Sequence, residues 1–195
     1  MKTHWGRFVL KLTLGLVTAA ALGTAKGAEA TAFELVKEGN KHIGEQSKDR
    51  VVQIRSEKSV GSVTPNIWTI VYYDEFATMK ATEVKFGGGK LMAVKRPLRL
   101  VAAVTDKDSD FDPKRLKVDS DKALQTALAA EILKNLTVTA SEMKMERYQE
   151  SPVWKIKLWV AKIKNPKKDV EIGEIFVDAE TGKVIKLDVK PQKAD

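Results

Sequence analysis

The side chains best placed to do chemistry in this sequence are carboxylates. Glu83 and Glu174 stand at equivalent places before two hairpin-like segments. Two acids so placed could in principle share general acid and general base roles. Duplication of one unit explains their equivalence more simply, so no catalytic residue is assigned. Asp106, Asp108, Asp110 and Asp112 alternate as the oxygen ligands of a calcium loop do. Such a loop needs glycine at its sixth position and glutamate at its twelfth. Phe111 and Lys117 stand there instead, and the segment reads as a solvated linker. The chain has two histidines and no cysteine. His4 lies in the apolar leader, which leaves His42, read as a surface residue on a weak helix. A histidine-based triad, a zinc centre, a thiolate nucleophile and a lipid-bearing cysteine are all excluded. No metal ligand and no cofactor is expected. Asn135-Leu136-Thr137 fits a glycosylation sequon, which matters only in a secreted eukaryotic protein.

The elements that would position any site begin after a leader. Lys2, His4 and Arg7 form a basic start, an apolar run follows to Leu22, and Ala28-Glu29-Ala30 supplies a small-x-small cleavage pattern. Residues 1–30 therefore read as a signal peptide, with an uncleaved anchor as the alternative. The leader carries four basic residues against one acid, so its removal lowers the net charge from +8 to +5. The remainder is a highly charged surface without the dense basic stripe that nucleic-acid binding calls for. Export to the periplasm or outside the cell is expected, with no membrane span after cleavage. Without disulfides, core packing alone must hold the fold.

Two stretches then repeat one another. Thr64-Pro65-Asn66-Ile67-Trp68-Thr69-Ile70-Val71-Tyr72-Tyr73 is echoed by Glu150-Ser151-Pro152-Val153-Trp154-Lys155-Ile156-Lys157-Leu158-Trp159. Repetition of this kind marks one unit used twice. In the first, a short helix over 32–46, with an apolar stripe of Phe33, Val36, Asn40 and Ile43, precedes strands from Val51, Ile67, Ala81 and Lys90. Gly87-Gly88-Gly89 supplies a turn, and one more strand is expected over 98–104. Residues 105–119 read as a linker. In the second unit a helix over 121–136, with Leu124, Leu128, Ile132 and Leu136 in its stripe, precedes strands near 142–148, 153–162, 170–177 and 183–189. The expected fold is α+β: two tandem units, 31–104 and 120–190, each one helix on a three- to four-stranded antiparallel sheet. Residues 191–195 form a tail.

Alternation along the strands sharpens the search for a binding surface. Trp154, Ile156, Leu158 and Val160 share an apolar face that should lie under a helix, as should Trp68, Ile70 and Tyr72. Lys155, Lys157 and Trp159 point the other way, as does Tyr73. An aromatic ring beside basic groups is typical of protein-binding hot spots. Tyr73, Trp159, Lys155 and Lys157 are therefore the candidate binding residues; burial of the rings where two sheets meet is the alternative.

The second unit resembles a PepSY domain. The resemblance rests on the alanine-rich helix over 121–136, on Val153-Trp154-Lys155-Ile156-Lys157-Leu158, and on the hairpin Gly173-Glu174-Ile175-Phe176-Val177-Asp178-Ala179-Glu180-Thr181-Gly182-Lys183-Val184-Ile185. It covers residues 120–188 directly and 32–95 through the repeat. The glycine usual after the helix is missing, and the first unit has Gly87-Gly88-Gly89 where the family shows D-A-x-T-G. The resemblance implies a cystatin-like α+β module that binds a protein or peptide partner, with inhibition of a peptidase as one form. A tandem pair is similar in layout to β-lactamase inhibitory protein. Two further readings are kept: a structural or assembly module of the envelope, and, more remotely, a carboxylate-dependent hydrolase.

Overall fold

The computed structural model describes residues 29–98 and 110–195. Helix α1, Ala32–Gly39, opens with a capping box. The Thr31 hydroxyl accepts from the Glu34 amide while the Glu34 carboxylate accepts from the Thr31 amide. The helix is shorter than the expected 32–46, and 3-10 turns over Asn40–His42 and Glu45–Ser47 follow it. Its buried face is Ala32, Leu35 and Gly39, set one residue from the expected stripe. Gly39 permits close approach of β2, because a Cβ there would run into the Tyr72 hydroxyl. That hydroxyl donates to the Val36 carbonyl at 2.8 Å.

Helix α2, Ser120–Leu128, is capped by Asp119, and it also ends earlier than expected. Ala130 takes an extended conformation and a 3-10 turn over Glu131–Leu133 follows, turning the chain toward β5. Ile132 consequently lies partly exposed, while Leu133 is buried.

Eight strands follow the alternation read from the sequence: β1 (Val51–Ser56), β2 (Ile67–Tyr73), β3 (Ala81–Gly87), β4 (Lys90–Lys95), β5 (Val138–Tyr148), β6 (Ser151–Ala161), β7 (Asp169–Asp178) and β8 (Val184–Val189). They form one antiparallel sheet in the order β4-β3-β2-β1-β5-β6-β7-β8, an α+β architecture. The strand order on one side of the β1–β5 join mirrors that on the other. Gly88 and Gly89, at φ 55° and 77°, make the two-residue hairpin between β3 and β4. Gln149 and Glu150 adopt the same left-handed backbone between β5 and β6 without glycine.

The join is short in backbone pairing and rich in hydroxyls. Only Ile54↔Met145 and Arg55↔Lys144 pair across β1 and β5. Beyond them the Met143 amide donates to Ser56 Oγ at 2.8 Å and the Ser141 amide to Ser59 Oγ at 2.9 Å. The Ser141 hydroxyl donates to the Val63 carbonyl at 2.6 Å. Buried backbone groups need partners, and here serine side chains supply them where the ladder stops. The helix layer is joined in the same manner. The Ala32 amide donates to Ser120 Oγ at 3.0 Å and the Phe33 amide to Asp119 Oδ1 at 3.1 Å. The positive ends of both helix dipoles thus meet one carboxylate.

Under the helices lies a single apolar core drawn from both halves. Trp68 and Trp154 meet edge to face with centroids 6.3 Å apart, and Phe33 lies 6.1 Å from Trp154. The described part of the segment expected to link the halves is packed: Phe111 is buried and its amide donates to the Val51 carbonyl at 2.8 Å. Near the C-terminus Ala194 is buried, and its carbonyl accepts from Ile163. Asp106, Asp108 and the strand expected over 98–104, from Arg99 onward, lie outside the described residues.

Candidate functional site

The face of the sheet away from the helices is the candidate site. Pairing register sets its side chains in rows. Lys85, Thr69, Arg55, Lys144, Lys155, Phe176 and Lys186 lie opposite one another in turn from β3 to β8. Five of these seven are basic, and acids in the adjoining rows answer them. Arg55 bonds Glu83 at 2.7 Å, Lys85 bonds Glu57 at 2.6 Å, Lys144 bonds Glu146 at 2.7 Å and Lys155 bonds Glu174 at 3.1 Å. Each pair is partly open to solvent and contributes at most about 1 kcal/mol. Their larger effect is to hold long side chains upright in a fixed charge pattern. Between Arg55, Glu57, Thr69, Glu83, Lys85 and Lys95 the face forms a hollow of about 260 Å³.

The four residues singled out in the sequence all lie on this face, but not together. Lys155, Lys157 and Trp159 line β6 in succession. Lys58 Nζ sits 4.6 Å from the Trp159 ring centre and Lys157 Nζ 6.0 Å from it. Lys157 also lies 3.8 Å from Glu142. Tyr73 ends β2, which runs opposite to β6, so it falls at the other end of the face. Strand geometry puts Tyr73 and Trp159 about 30 Å apart. Tyr73 is 9% exposed, packed with Val52, Val71 and Ala81 in a small second cluster. The Arg50 guanidinium covers its ring at 4.1 Å. Cations over ring faces at these distances strengthen each other's placement.

Sequence reading missed the two cations that complete these ring sites. Arg50 and Lys58 flank β1 on either side, and only the pairing of β1 between β2 and β5 brings them to the rings. It also missed a third aromatic group. Tyr148 and Phe176 pack with tilted rings, centroids 5.5 Å apart, and Lys186 lies 4.9 Å from Phe176. Phe176 occupies an alternate position in β7, a signal the strand pattern carried.

The two glutamates considered as an acid–base pair are not brought together. Glu83 on β3 and Glu174 on β7 are separated by four intervening strands, about 25 Å. Each is held by its own cation, Arg55 and Lys155. His42 lies in the helix layer, 3.5 Å from Glu38. Among the described residues, no group of three or more histidines or acids is disposed to hold a metal ion.

Two other carboxylates are kept charged by their surroundings. For Asp178, burial works against the charge. Hydrogen bonds from the Thr181 amide and hydroxyl and the Glu180 amide, with Arg115 nearby, outweigh it and lower the pKa below the usual aspartate value. Asp74 follows the same balance: burial opposes its charge, while Thr82, the Phe76 amide and Arg96 lower the pKa. Both are loop anchors, one at the β7–β8 turn and one after β2.

Comparison with known proteins agrees with the second half of this picture. Residues 117–188 match the model of PepSY, described as peptidase propeptide and YPEB domain. No curated protein matches the sequence. The crystal structure of a candidate lipoprotein from Clostridium difficile 630 superposes with a TM-score of 0.53 at 16% identity, over 81% of this chain and 91% of that one. At that identity the likeness is one of fold. Among the described residues no helix is long and apolar enough to cross a membrane. The span matched by the family contains α2, β5 to β7 and all of β8 but its last residue, Val189. Over residues 117–188 the chain is similar to the PepSY family.

Proposed function

We propose that this chain is an exported, non-enzymatic binding protein built from two PepSY-like units, 31–104 and 120–190. Its leader, residues 1–30, is removed on export. Residues 105–119 connect the units and 191–195 close the chain. The open face of the sheet grips a protein or peptide partner, with a peptidase as the leading class, in keeping with the propeptide description of the matched family. One observation carries this reading. The face spans eight strands, both helices lie on its opposite side, and it bears aromatic rings held under cations. Such rings lose little side-chain entropy when a partner covers them, which is why they serve as anchors. Trp159, with Lys155 and Lys157 beside it, supplies the main contact; Tyr73 offers only a ring edge.

A structural role in the envelope is the second reading. It is favoured by the ion pairing of the face, which satisfies the basic row within the molecule. A hydrolase using Glu83 and Glu174 is disfavoured by their separation. Affinity capture from an envelope extract distinguishes the first two. The binding reading expects a captured protein, identified by mass spectrometry, that is lost from a Tyr73→Ala/Trp159→Ala double variant of unchanged melting temperature. The same partner profile from that variant would sink the binding assignment.

A further inference from the structure

The outer edge of β8 is the part of the sheet least protected from another strand. β8 ends the sheet, and among the described residues nothing pairs with its far side. Its central residues are open: Leu187 is 50% exposed, and the Lys186 and Asp188 side chains are 42% and 56% exposed. Lys186 lies opposite Phe176 and so on the charged face; Leu187 lies opposite Ile175 and so on the helix face.

We propose that this edge pairs with the same edge of a second copy, antiparallel, about a two-fold axis through Leu187. The charge order of the strand specifies that register. Centred on Leu187, Lys186 of one copy stands opposite Asp188 of the other, twice, and the two Leu187 side chains meet on the helix face. A two-residue shift either way centres the axis on Lys186 or Asp188, setting lysine against lysine or aspartate against aspartate. A one-residue shift turns one copy's apolar side outward. Directly opposed unlike charges stabilise a strand pair and like charges oppose it. The other edge, β4, reads Lys90-Leu91-Met92-Ala93-Val94-Lys95 and contains no acid, so two copies of it repel. The bulge at the start of β8, between its partners Phe176 and Val177, keeps the contact short. A single pair of short strands buries little surface, so the dimer is weak and salt-sensitive. This edge does not include Trp159 or Tyr73, although Lys186 also covers the Phe176 ring.

Sedimentation equilibrium tests it, using the full chain expressed with its leader and recovered as the cell processes it. The wild type is expected to show a concentration-dependent monomer–dimer equilibrium. Asp188→Lys sets lysine against lysine twice and should weaken association about tenfold or more. The double variant Lys186→Asp/Asp188→Lys restores unlike pairs and should restore the dimer. Both positions are on the surface, and far-ultraviolet circular dichroism checks that each variant folds. A monomeric wild type at the highest soluble concentration overturns the proposal. So does a dimer that Asp188→Lys leaves intact, or one that the double variant does not recover.

Discussion

The two hairpins at the flanks of the sheet solve one problem by different means. Between β3 and β4 the chain reverses on Gly88 and Gly89, using backbone freedom and no side chain. Between β7 and β8 it reverses over a longer loop, in which the Asp178 carboxylate accepts from Glu180 and Thr181. The second loop is tied into its surroundings: Ala179 accepts from the amides of Lys117 and Val118 at 3.0 and 2.8 Å, holding the chain that enters α2. The paired tryptophans differ in the same sense. Trp68 donates to Pro65, three residues away, while Trp154 donates to Val118, 36 residues away. At these turns and tryptophans the first half bonds locally, while the second reaches distant parts of the chain.

That contrast makes its sharpest prediction at the tryptophans. Trp154→Ala should cost about 4 kcal/mol, in the upper range for removing a buried aromatic, because it also strands the Val118 carbonyl and uncovers Phe33. Trp68→Ala should cost about 3 kcal/mol. Urea unfolding of both variants gives the order, and equal costs would show that the long-range hydrogen bond contributes nothing. A smaller difference is expected between glycines. Gly173, at φ 123°, has the Asp188 carbonyl where a Cβ would go, so Gly173→Ala should cost about 3 kcal/mol. Gly88 has open space around it, and Gly88→Ala should cost about 1 kcal/mol from its φ alone. Thermal melts of the two variants rank them; a Gly88→Ala loss as large as that of Gly173→Ala would contradict the comparison.

The smallest effect depends on pH. Asp178 has a lowered pKa in the folded chain, so its contribution is present above the unfolded aspartate value, about 3.9, and is lost as pH falls through the folded value below it. Asp178→Ala should cost about 1 kcal/mol at pH 7. The gap between variant and wild type should close on acidification below the unfolded value. A gap of constant size from pH 7 to about pH 2 would mean the carboxylate charge is not what holds the turn.

The strands were legible because each carries its own alternation. Trp68, Ile70 and Tyr72, like Trp154, Ile156 and Leu158, announce a covered face within a few residues, and all six are buried. The helices were less so. Their ends are set by where the chain must turn, at Gly39 against Tyr72 and at Ala130 before β5, and neither constraint is local. The joining of all strands into one sheet had no sequence signal. It depends on two residue pairs between β1 and β5 and on Ser56, Ser59 and Ser141, whose hydroxyls carry no pattern that marks the contact. The ring sites were half legible for the same reason: Trp159 and Tyr73 follow from alternation, Arg50 and Lys58 only from the pairing of β1.

The serine-stitched join also governs how the chain can be divided. Cutting before residue 117 would leave the PepSY-like segment with β5 as a second bare edge, and with Ser141 and Met143 deprived of their partners. It would strip Phe33 from Trp154 and leave α2 without the helix that shares its cap. The border drawn by family likeness is therefore not a border of stability. Evolution, or an experimenter trimming the gene, must treat residues 29–195 as one inheritance.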